Sequence, residues 1–284
     1  MTNTTVNSTS ILTPEQVGEL VIKPLLAQSV AAQVSTVVRT DSNQYRVPIV
    51  AADPDTSWTP EGTEITADDL DLAELVITPK KVAGLTVVSN ELLADSSEDA
   101  AKLVGSRLVN SLRRKVDAAY FSASTPNGPS GVPSLVGNGV TNGFTGTANA
   151  FGSNLDVFGD LASQVEIAGG KLTAWAVNPF YGALLGKIKE ATGSNKPLLG
   201  PDPSQQYRRV VGGVPVLHTP DIASAVMWGI TKEYSLFVLR QDADVQVDSS
   251  AFFTSDRTAI RCTLRVGFGF PHPAAIAQLR LATS

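Results

Sequence analysis

A long amphipathic helix pattern constrains this chain more than any other feature of its sequence. Between residues 97 and 122, small or apolar residues recur at steps of three and four: Ala101, Val104, Leu108, Leu112, Val116 and Ala119. This spacing keeps the six side chains on one stripe of an α-helix, and Ser96 with Asp99 matches a capping box at its start. At about 1.5 Å per residue such a helix is about 39 Å long, well above the average for globular domains. We therefore predict a helix over residues 97–122 that packs through its apolar stripe.

Basic residues lie on both flanks of this stripe. Lys102 and Arg113 fall on one flank, and Arg107 and Arg114 fall on the other. On spacing alone, they are the solvated edges of a helix whose stripe faces the core. Their interpretation as contact residues depends on the stretch that precedes the helix.

The stretch before the helix is acidic and contains strand-forming segments. Residues 47–79 contain no Lys or Arg and eight carboxylates: Asp53, Asp55, Glu61, Glu64, Asp68, Asp69, Asp71 and Glu74. Residues 74–78 and 82–89 have strand patterns, with Pro79 and Gly84 as irregularities. A long two-stranded hairpin has too little core to be stable alone in water, so it needs another surface. An acidic, solvated loop is the alternative interpretation.

The order of these parts resembles the major capsid proteins of tailed bacteriophages, which have the Hong Kong 97 fold. The resemblance rests on the WTPEG turn at residues 58–62, the run KKVAGLTVVSNELLADS at 80–96 and the long helix after it. The run AWAVNPFYGALLGKIKEATG at 174–193, in which a strand ends in Asn-Pro before a helix, also resembles that family. The resemblance implies an α+β fold with an N-arm, an extended E-loop hairpin, a P-domain with a long spine helix, and an A-domain.

The same resemblance implies a P-domain that is discontinuous in sequence. The expected divisions are the N-arm at 1–35, the start of the P-domain at 36–50, the E-loop at 51–84, the P-domain with its spine helix at 85–150, the A-domain at 151–250 and returning P-domain strands at 251–284. Local patterns predict helices over 13–22 and 25–34, a helix that ends at Gly169 and Gly170, a buried strand over 172–177 and a helix over 180–192. They also predict a Gly212-Gly213 turn and short strands over 214–218, 225–231, 235–240, 245–247, 257–267 and 275–281.

Composition and motifs argue against several other functions. A net charge of −5 and an isoelectric point near 5.1 do not match a dedicated nucleic-acid binder, although a wall around nucleic acid stays possible. The sequence shows no signal peptide and no apolar run long enough to cross a membrane. Cys262 is the only cysteine, and with His218 and His272 it does not give a metal-site spacing. We therefore expect no cofactor, no metal and no enzymatic activity.

The resemblance implies a structural protein that assembles with itself into hexamers and pentamers of an icosahedral phage head, in the host cytoplasm. DNA would be enclosed without sequence-specific binding, and the portal and a separate scaffolding protein are expected partners, because only about 35 residues precede the body of the chain. Two alternatives remain at this point. One is an encapsulin-type shell that encloses cargo enzymes, and the other is a cytosolic α+β hydrolase, for which no nucleophile–base pair is evident.

We predict that the acidic loop of one subunit lies across the spine helix or adjoining P-domain of its neighbour. Apolar residues such as Trp58, Ile65 and Leu70 would anchor the loop, and the charges would lie around the rim. The candidate contact residues are Trp58, Glu61, Glu64, Asp68, Asp69, Lys102, Arg107, Arg113 and Arg114. Because residues 47–79 contain no lysine, we expect a shell without covalent cross-links from this loop.

Overall fold

The computed structural model describes residues 23–52, 56, 58–62, 71–91, 98–137, 140–142, 146–147, 155–191, 193–199, 209–223 and 226–282. The helix predicted over residues 13–22 lies outside this part of the chain. So do the loop residues Glu64, Ile65, Asp68, Asp69 and Leu70.

The elements in this part of the chain mix helices with strands. The α-helices are α1 (Lys23–Gln28), α2 (Val30–Val34), α3 (Glu98–Tyr120), α4 (Asp156–Ile167) and α5 (Pro179–Leu185). The strands are β1 (Thr36–Thr40), β2 (Tyr45–Ala52), β3 (Asp71–Ile77), β4 (Lys80–Ser89), β5 (Thr141–Asn142), β6 (Gly146–Thr147), β7 (Ala174–Val177), β8 (Arg209–Val211), β9 (Val214–His218), β10 (Val226–Ile230), β11 (Leu236–Phe252), β12 (Arg257–Gly269) and β13 (Ala277–Ala282). Short 3-10 helices lie at Val132–Leu135, Lys232–Tyr234, Phe253–Ser255 and Pro273–Ala275.

Two sheets and one hairpin organise these strands. The four-stranded sheet has the order β1–β11–β12–β4, with β1 parallel to β11 and the other pairs antiparallel. The seven-stranded sheet has the order β5–β13–β10–β7–β9–β8, and β6 also pairs with β13. Strands β2 and β3 form a separate antiparallel hairpin. This architecture is the α+β class that the sequence predicts.

Helix α3, called the spine helix below, matches the helix predicted over residues 97–122 to within two residues at each end. Of the predicted stripe, Leu112, Val116 and Ala119 are buried and Leu108 is half-buried. A Cβ atom at Gly84 would lie 2.8 Å from a methyl carbon of Leu108, so strand β4 touches the helix through a glycine. The apolar stripe therefore packs the spine helix on one side of the four-stranded sheet.

The seven-stranded sheet separates two apolar clusters. Every residue of β7 is buried, and successive side chains point to opposite sides. Ala174 and Ala176 lie in the cluster that contains the spine helix, whereas Trp175 and Val177 lie in the cluster that contains α4 and α5. A strand buried on both faces has a continuous apolar run, which is what the sequence predicts for residues 172–177.

Glycines with positive φ end two elements where the sequence predicts it. Gly169 has φ of 81° after α4, and the amides of Gly169 and Gly170 donate to the carbonyls of Glu166 and Val165. This is the Schellman arrangement of a helix end. Gly212 and Gly213, at φ of 59° and 78°, form the two-residue turn between β8 and β9.

Helix α5 is shorter than the helix predicted over residues 180–192. It begins at Pro179, where the Asn178 side chain caps it, and it ends at Leu185. Beyond that point Ile188 is buried in the second cluster, and its carbonyl accepts the amide of Leu198 at 2.8 Å. The predicted C-terminal end is wrong because burial of Ile188 and this non-local hydrogen bond replace the next helical turn.

The β-rich C-terminal part has fewer and longer strands than predicted. The two strands predicted over 235–240 and 245–247 are one strand, β11, which pairs with β12 on both sides of a bulge between Arg240 and Asp244. Strand β11 lies in the four-stranded sheet, and the last strand, β13, pairs with β10 in the seven-stranded sheet. Long-range pairing selects these partners, and the local periodicity of the sequence does not encode them.

Candidate subunit-contact surfaces

The β2–β3 hairpin carries an exposed apolar face. Val50 pairs directly with Leu72, and the two side chains are 49% and 60% exposed. Val76 lies on the same side of the hairpin, beside an ion pair of 3.2 Å between Arg46 and Glu74. Because an isolated two-stranded hairpin is marginally stable at best, this apolar face needs a partner surface.

The base of the hairpin packs on the four-stranded sheet. Ile77 is buried, and a Cβ atom at Gly267 or Gly269 would overlap its side chain. Along β12, Cys262 and Leu264 face the cluster of the spine helix, and the two glycines occupy alternate positions on the opposite side. The sheet therefore has an inner side, which faces the spine helix, and an outer side, from which the hairpin extends.

The outer side of the four-stranded sheet carries a second apolar patch. Leu85 and Val87 of β4 are 62% and 37% exposed, although most strand residues of this size are covered. In the strand register Leu85 lies opposite Arg261, and Lys81 lies opposite Arg265. The patch is thus bordered by cations of β4 and β12.

The spine-helix cations predicted as contact residues differ in their availability. The Arg113 side chain is 23% exposed, and its Nη1 lies 3.6 Å from Oδ2 of Asp117 and donates to the Gln28 carbonyl at 3.5 Å. Arg114 is 63% exposed and lies 3.9 Å from the carboxylate of Asp221. Arg107 is exposed, and the side chain of Lys102 is not among those described. Arg113 is therefore engaged inside its own chain, and its role as a contact residue stays a prediction.

The described part of the loop exposes its predicted anchor. Trp58 is fully exposed, and Glu61 is exposed beside it. Gly62 follows with φ of 83°, a left-handed conformation that glycine adopts readily in tight turns. An exposed tryptophan next to a carboxylate has the chemistry of an interface anchor with a charged rim.

Asp117 is a buried carboxylate that the sequence analysis did not identify. Its Oδ1 accepts the Ser29 hydroxyl at 2.6 Å and the Ala31 amide at 3.1 Å, and its Oδ2 accepts the Val30 amide at 3.4 Å. Burial raises the pKa of this carboxyl, and the hydrogen bonds and Arg113 offset that rise only in part. The sequence did contain one indication that Asp117 is buried, because it directly follows Val116 of the apolar stripe.

Three buried hydroxyls join the end of the spine helix to two other elements. The Tyr120 hydroxyl lies 2.6 Å from Ser235 Oγ and accepts from Ser35 Oγ at 3.1 Å, and the two serine oxygens are 2.7 Å apart. Burial raises the pKa of Tyr120 to about 12, so the phenol stays protonated as a donor. This triangle satisfies polar groups that would otherwise be costly to bury.

The described His, Cys, Asp and Glu side chains do not cluster as metal ligands would. No group of three or more of these described side chains could hold a metal ion. His272 Nε2 lies 2.7 Å from the Ala168 carbonyl, and burial with the nearby Arg209 lowers the pKa of His218. None of the described helices combines the length and the apolar composition needed to cross a membrane.

The spine helix, the two sheets and the protruding hairpin define the class of Hong Kong 97-type shell proteins. A model of the phage capsid family matches residues 9–281, and the chain therefore belongs to that family. It is a structural major capsid protein. No curated protein sequence matches the chain significantly.

Solved capsids share this fold at low sequence identity. The "Capsid of empty GTA particle computed with C5 symmetry" has a TM-score of 0.73 at 22% identity, over 88% of this chain and 88% of that chain. The Microbacterium phage Oxtober96 structure has a TM-score of 0.73 at 17% identity, over 90% and 91%. The Mycobacterium phage Cain structure has a TM-score of 0.70 at 19% identity, over 96% and 98%. Each match extends over nearly the whole length of both chains.

Proposed function

We propose that this capsid protein assembles into hexamers and pentamers that close into the icosahedral head of a tailed double-stranded DNA phage. The supporting observation is the β2–β3 hairpin, because a subunit that leaves Val50 and Leu72 exposed gains stability when a second copy covers them. DNA would be enclosed without sequence readout, and a portal and a separate scaffolding protein would be further partners. Assembly would take place in the host cytoplasm.

We further propose that the hairpin lies on the outer side of the neighbour's four-stranded sheet. Copies related by rotation about an axis through the shell keep the same side outward. The hairpin leaves its own subunit on the outer side, so it meets the outer side of its neighbour, whereas the spine helix lies on the inner side. Leu85 and Val87 supply apolar area there, and Lys81 and Arg261 supply charges opposite to the acidic loop.

The charges of the acidic loop and of the sheet's outer side are only partly complementary, and the expected electrostatic contribution to the contact is modest. Asp248 of β11 lies on the same outer side, opposite Ala259 in the strand register, so the rim is mixed in charge. Each exposed ion pair contributes about 0–1 kcal/mol. Apolar burial by the hairpin and Trp58 would therefore supply most of the contact energy, and the charges would set its register and salt dependence.

The first experiment tests assembly through the hairpin. The wild-type chain and the Val50→Ser/Leu72→Ser variant would be purified, and their particles counted by negative-stain microscopy. We expect shells or capsomers from the wild type and mostly unassembled subunits from the variant, with circular dichroism unchanged because both side chains are exposed. Normal shells from the double variant would refute the role of the hairpin.

The second experiment separates the two acceptor surfaces. The variant Lys81→Glu/Arg261→Glu changes the outer side of the sheet. The matched control, Arg107→Glu/Lys115→Glu, changes the exposed face of the spine helix. We expect the sheet variant to lose shells at low salt, with partial restoration by Asp68→Lys/Asp69→Lys in the same chain. Loss of shells only with the helix variant would move the contact to the spine helix.

Two further measurements test the kind of particle. Boiling purified particles in SDS should give one band near 29.8 kDa, since no lysine is present in the loop to form a cross-link. Particles from phage-producing cells should protect DNA from nuclease. Particles that contain cargo enzymes and no protected DNA would instead identify a nanocompartment shell.

A further inference from the structure

The N-terminal segment, residues 23–35, is a strap across the spine helix. It comprises α1, α2 and the link to β1, and Leu25, Val30, Ala31 and Val34 are buried in the cluster that the helix shares. The strap is held at its C-terminal end by Ser35 in the hydroxyl triangle with Tyr120. Its middle is held differently, by one charged side chain.

The middle of the strap is bound through the turn between α1 and α2. Ser29 separates the two helices and caps α2, with its Oγ accepting the Ala32 amide at 3.2 Å. The same hydroxyl donates to Asp117 at 2.6 Å, and the amides of Val30 and Ala31 donate to the two carboxylate oxygens. Three donors from three consecutive residues thus converge on one carboxylate, an arrangement that we call the Asp117 clasp.

The clasp determines register because its donors cannot be exchanged for those of another turn. Apolar contacts alone tolerate small shifts of one helix along another, whereas three directional hydrogen bonds to a fixed carboxylate permit one alignment. Arg113 on the spine helix, which also donates to the Gln28 carbonyl, is the described charged group that faces Asp117. From the strap, the described groups that face this carboxylate are the Ser29 hydroxyl and the two amides.

A buried carboxylate is an expensive way to make such a contact. Removing the charge from water costs free energy that the hydrogen bonds recover only in part, and the raised pKa of Asp117 reflects that balance. An apolar contact of the same size would hold the strap at lower cost, so the clasp contributes position more than net stability.

We propose that the Asp117 clasp positions residues 23–35 on the spine helix, and that loss of this carboxylate releases the strap while both sheets stay folded. Asp117 is a positioning residue in this proposal. Because residues 1–22 precede the strap in the chain, the clasp also positions Lys23, the residue to which they are joined.

The test is hydrogen–deuterium exchange of the full-length chain, resolved to peptides. In Asp117→Ala we expect exchange across residues 25–34 to rise by about tenfold or more, as local opening becomes frequent, while β7 of the seven-stranded sheet and β12 of the four-stranded sheet stay protected. Asp117→Asn retains an acceptor oxygen and should give an intermediate increase. Ser29→Ala removes one donor and should loosen the same peptide more weakly.

The matched control is Thr231→Val. It removes a buried hydrogen bond of similar length, from Thr231 Oγ1 to the Ala275 carbonyl at 2.7 Å, which involves neither Asp117 nor residues 25–34. The proposal is supported if Asp117→Ala changes the strap peptide and Thr231→Val does not. It is overturned if both variants affect that peptide equally, if Asp117→Ala leaves it protected, or if Asp117→Asn and Asp117→Ala both lose protection in the sheets at the same time as in the strap.

Discussion

Reversal of charge at Arg113 should destabilise the subunit itself, before any effect on assembly. The guanidinium lies between the Asp117 carboxylate and the Gln28 carbonyl, with 23% of the side chain exposed. Arg113→Glu would place a second carboxylate beside one that is already buried, and it would remove a donor to the strap. A double reversal at Arg113 and Arg114, two of the predicted contact residues, would therefore confound folding with assembly.

The size of the effect follows from the 3.6 Å distance between Arg113 Nη1 and Asp117 Oδ2. At an effective dielectric constant of about 20, the gross attraction is about 4–5 kcal/mol. Removing one partner of a buried pair typically costs about 3–5 kcal/mol, because the other charge stays buried without compensation. We expect Arg113→Glu to lower the free energy of unfolding by at least about 3 kcal/mol, which corresponds to a fall in Tm of roughly 5–10 °C.

The assay is urea unfolding of unassembled subunits, followed by circular dichroism, with Arg107→Glu as the control. Arg107 is exposed on the same helix, and its reversal should change the free energy of unfolding by no more than about 0.5 kcal/mol. The reasoning is refuted if the Arg113→Glu and Arg107→Glu subunits have the same midpoint and slope. Such a result would mean that water or a rearranged strap compensates Asp117.

Four further predictions concern two glycines, the Tyr120 hydroxyl and the buried carboxylate of Asp117. Gly131→Ala should abolish soluble expression, because its Cβ would overlap the carbonyl oxygens of Ala119 and Tyr120. Gly159→Ala, which has open space around it in α4, should instead raise the free energy of unfolding by about 0.5–1 kcal/mol, measured by thermal unfolding. Tyr120→Phe should cost only about 1 kcal/mol by urea unfolding, because the two serines of the triangle keep each other as partners; a loss above about 3 kcal/mol would contradict this. The pKa of Asp117 is raised from 3.8, so the folded state favours its protonated form. The resulting stabilisation is complete below pH 3.8 and is lost as the pH rises through the raised pKa. The free energy of unfolding of the wild type should therefore fall relative to that of Asp117→Asn as the pH rises through this range. A difference between the two proteins that stays constant with pH would exclude this linkage.

Secondary structure could be predicted from the sequence where residues close together in the chain determine it. The spine helix, the buried strand β7 and the glycine turn at residues 212–213 all agree with the sequence, because helical spacing, strand burial and positive φ are local properties. The sequence also predicts that the acidic hairpin needs a partner surface, since a two-stranded ribbon has no core. The exposure of the charged contact residues predicted on the spine helix was harder to predict, because it depends on what packs beside each side chain.

The sequence by itself determined where most helices, strands and turns lie, and it predicts that the acidic hairpin needs a partner outside itself. Only the tertiary structure decided that β11 pairs with β12 and β13 with β10, that α5 ends at Leu185, and that Arg113 forms an ion pair with Asp117. It also decided that the hairpin and the spine helix lie on opposite sides of one sheet. The physical reason is that strand partners and buried charge pairs join residues far apart in the chain, and no local periodicity records which distant residue will be there.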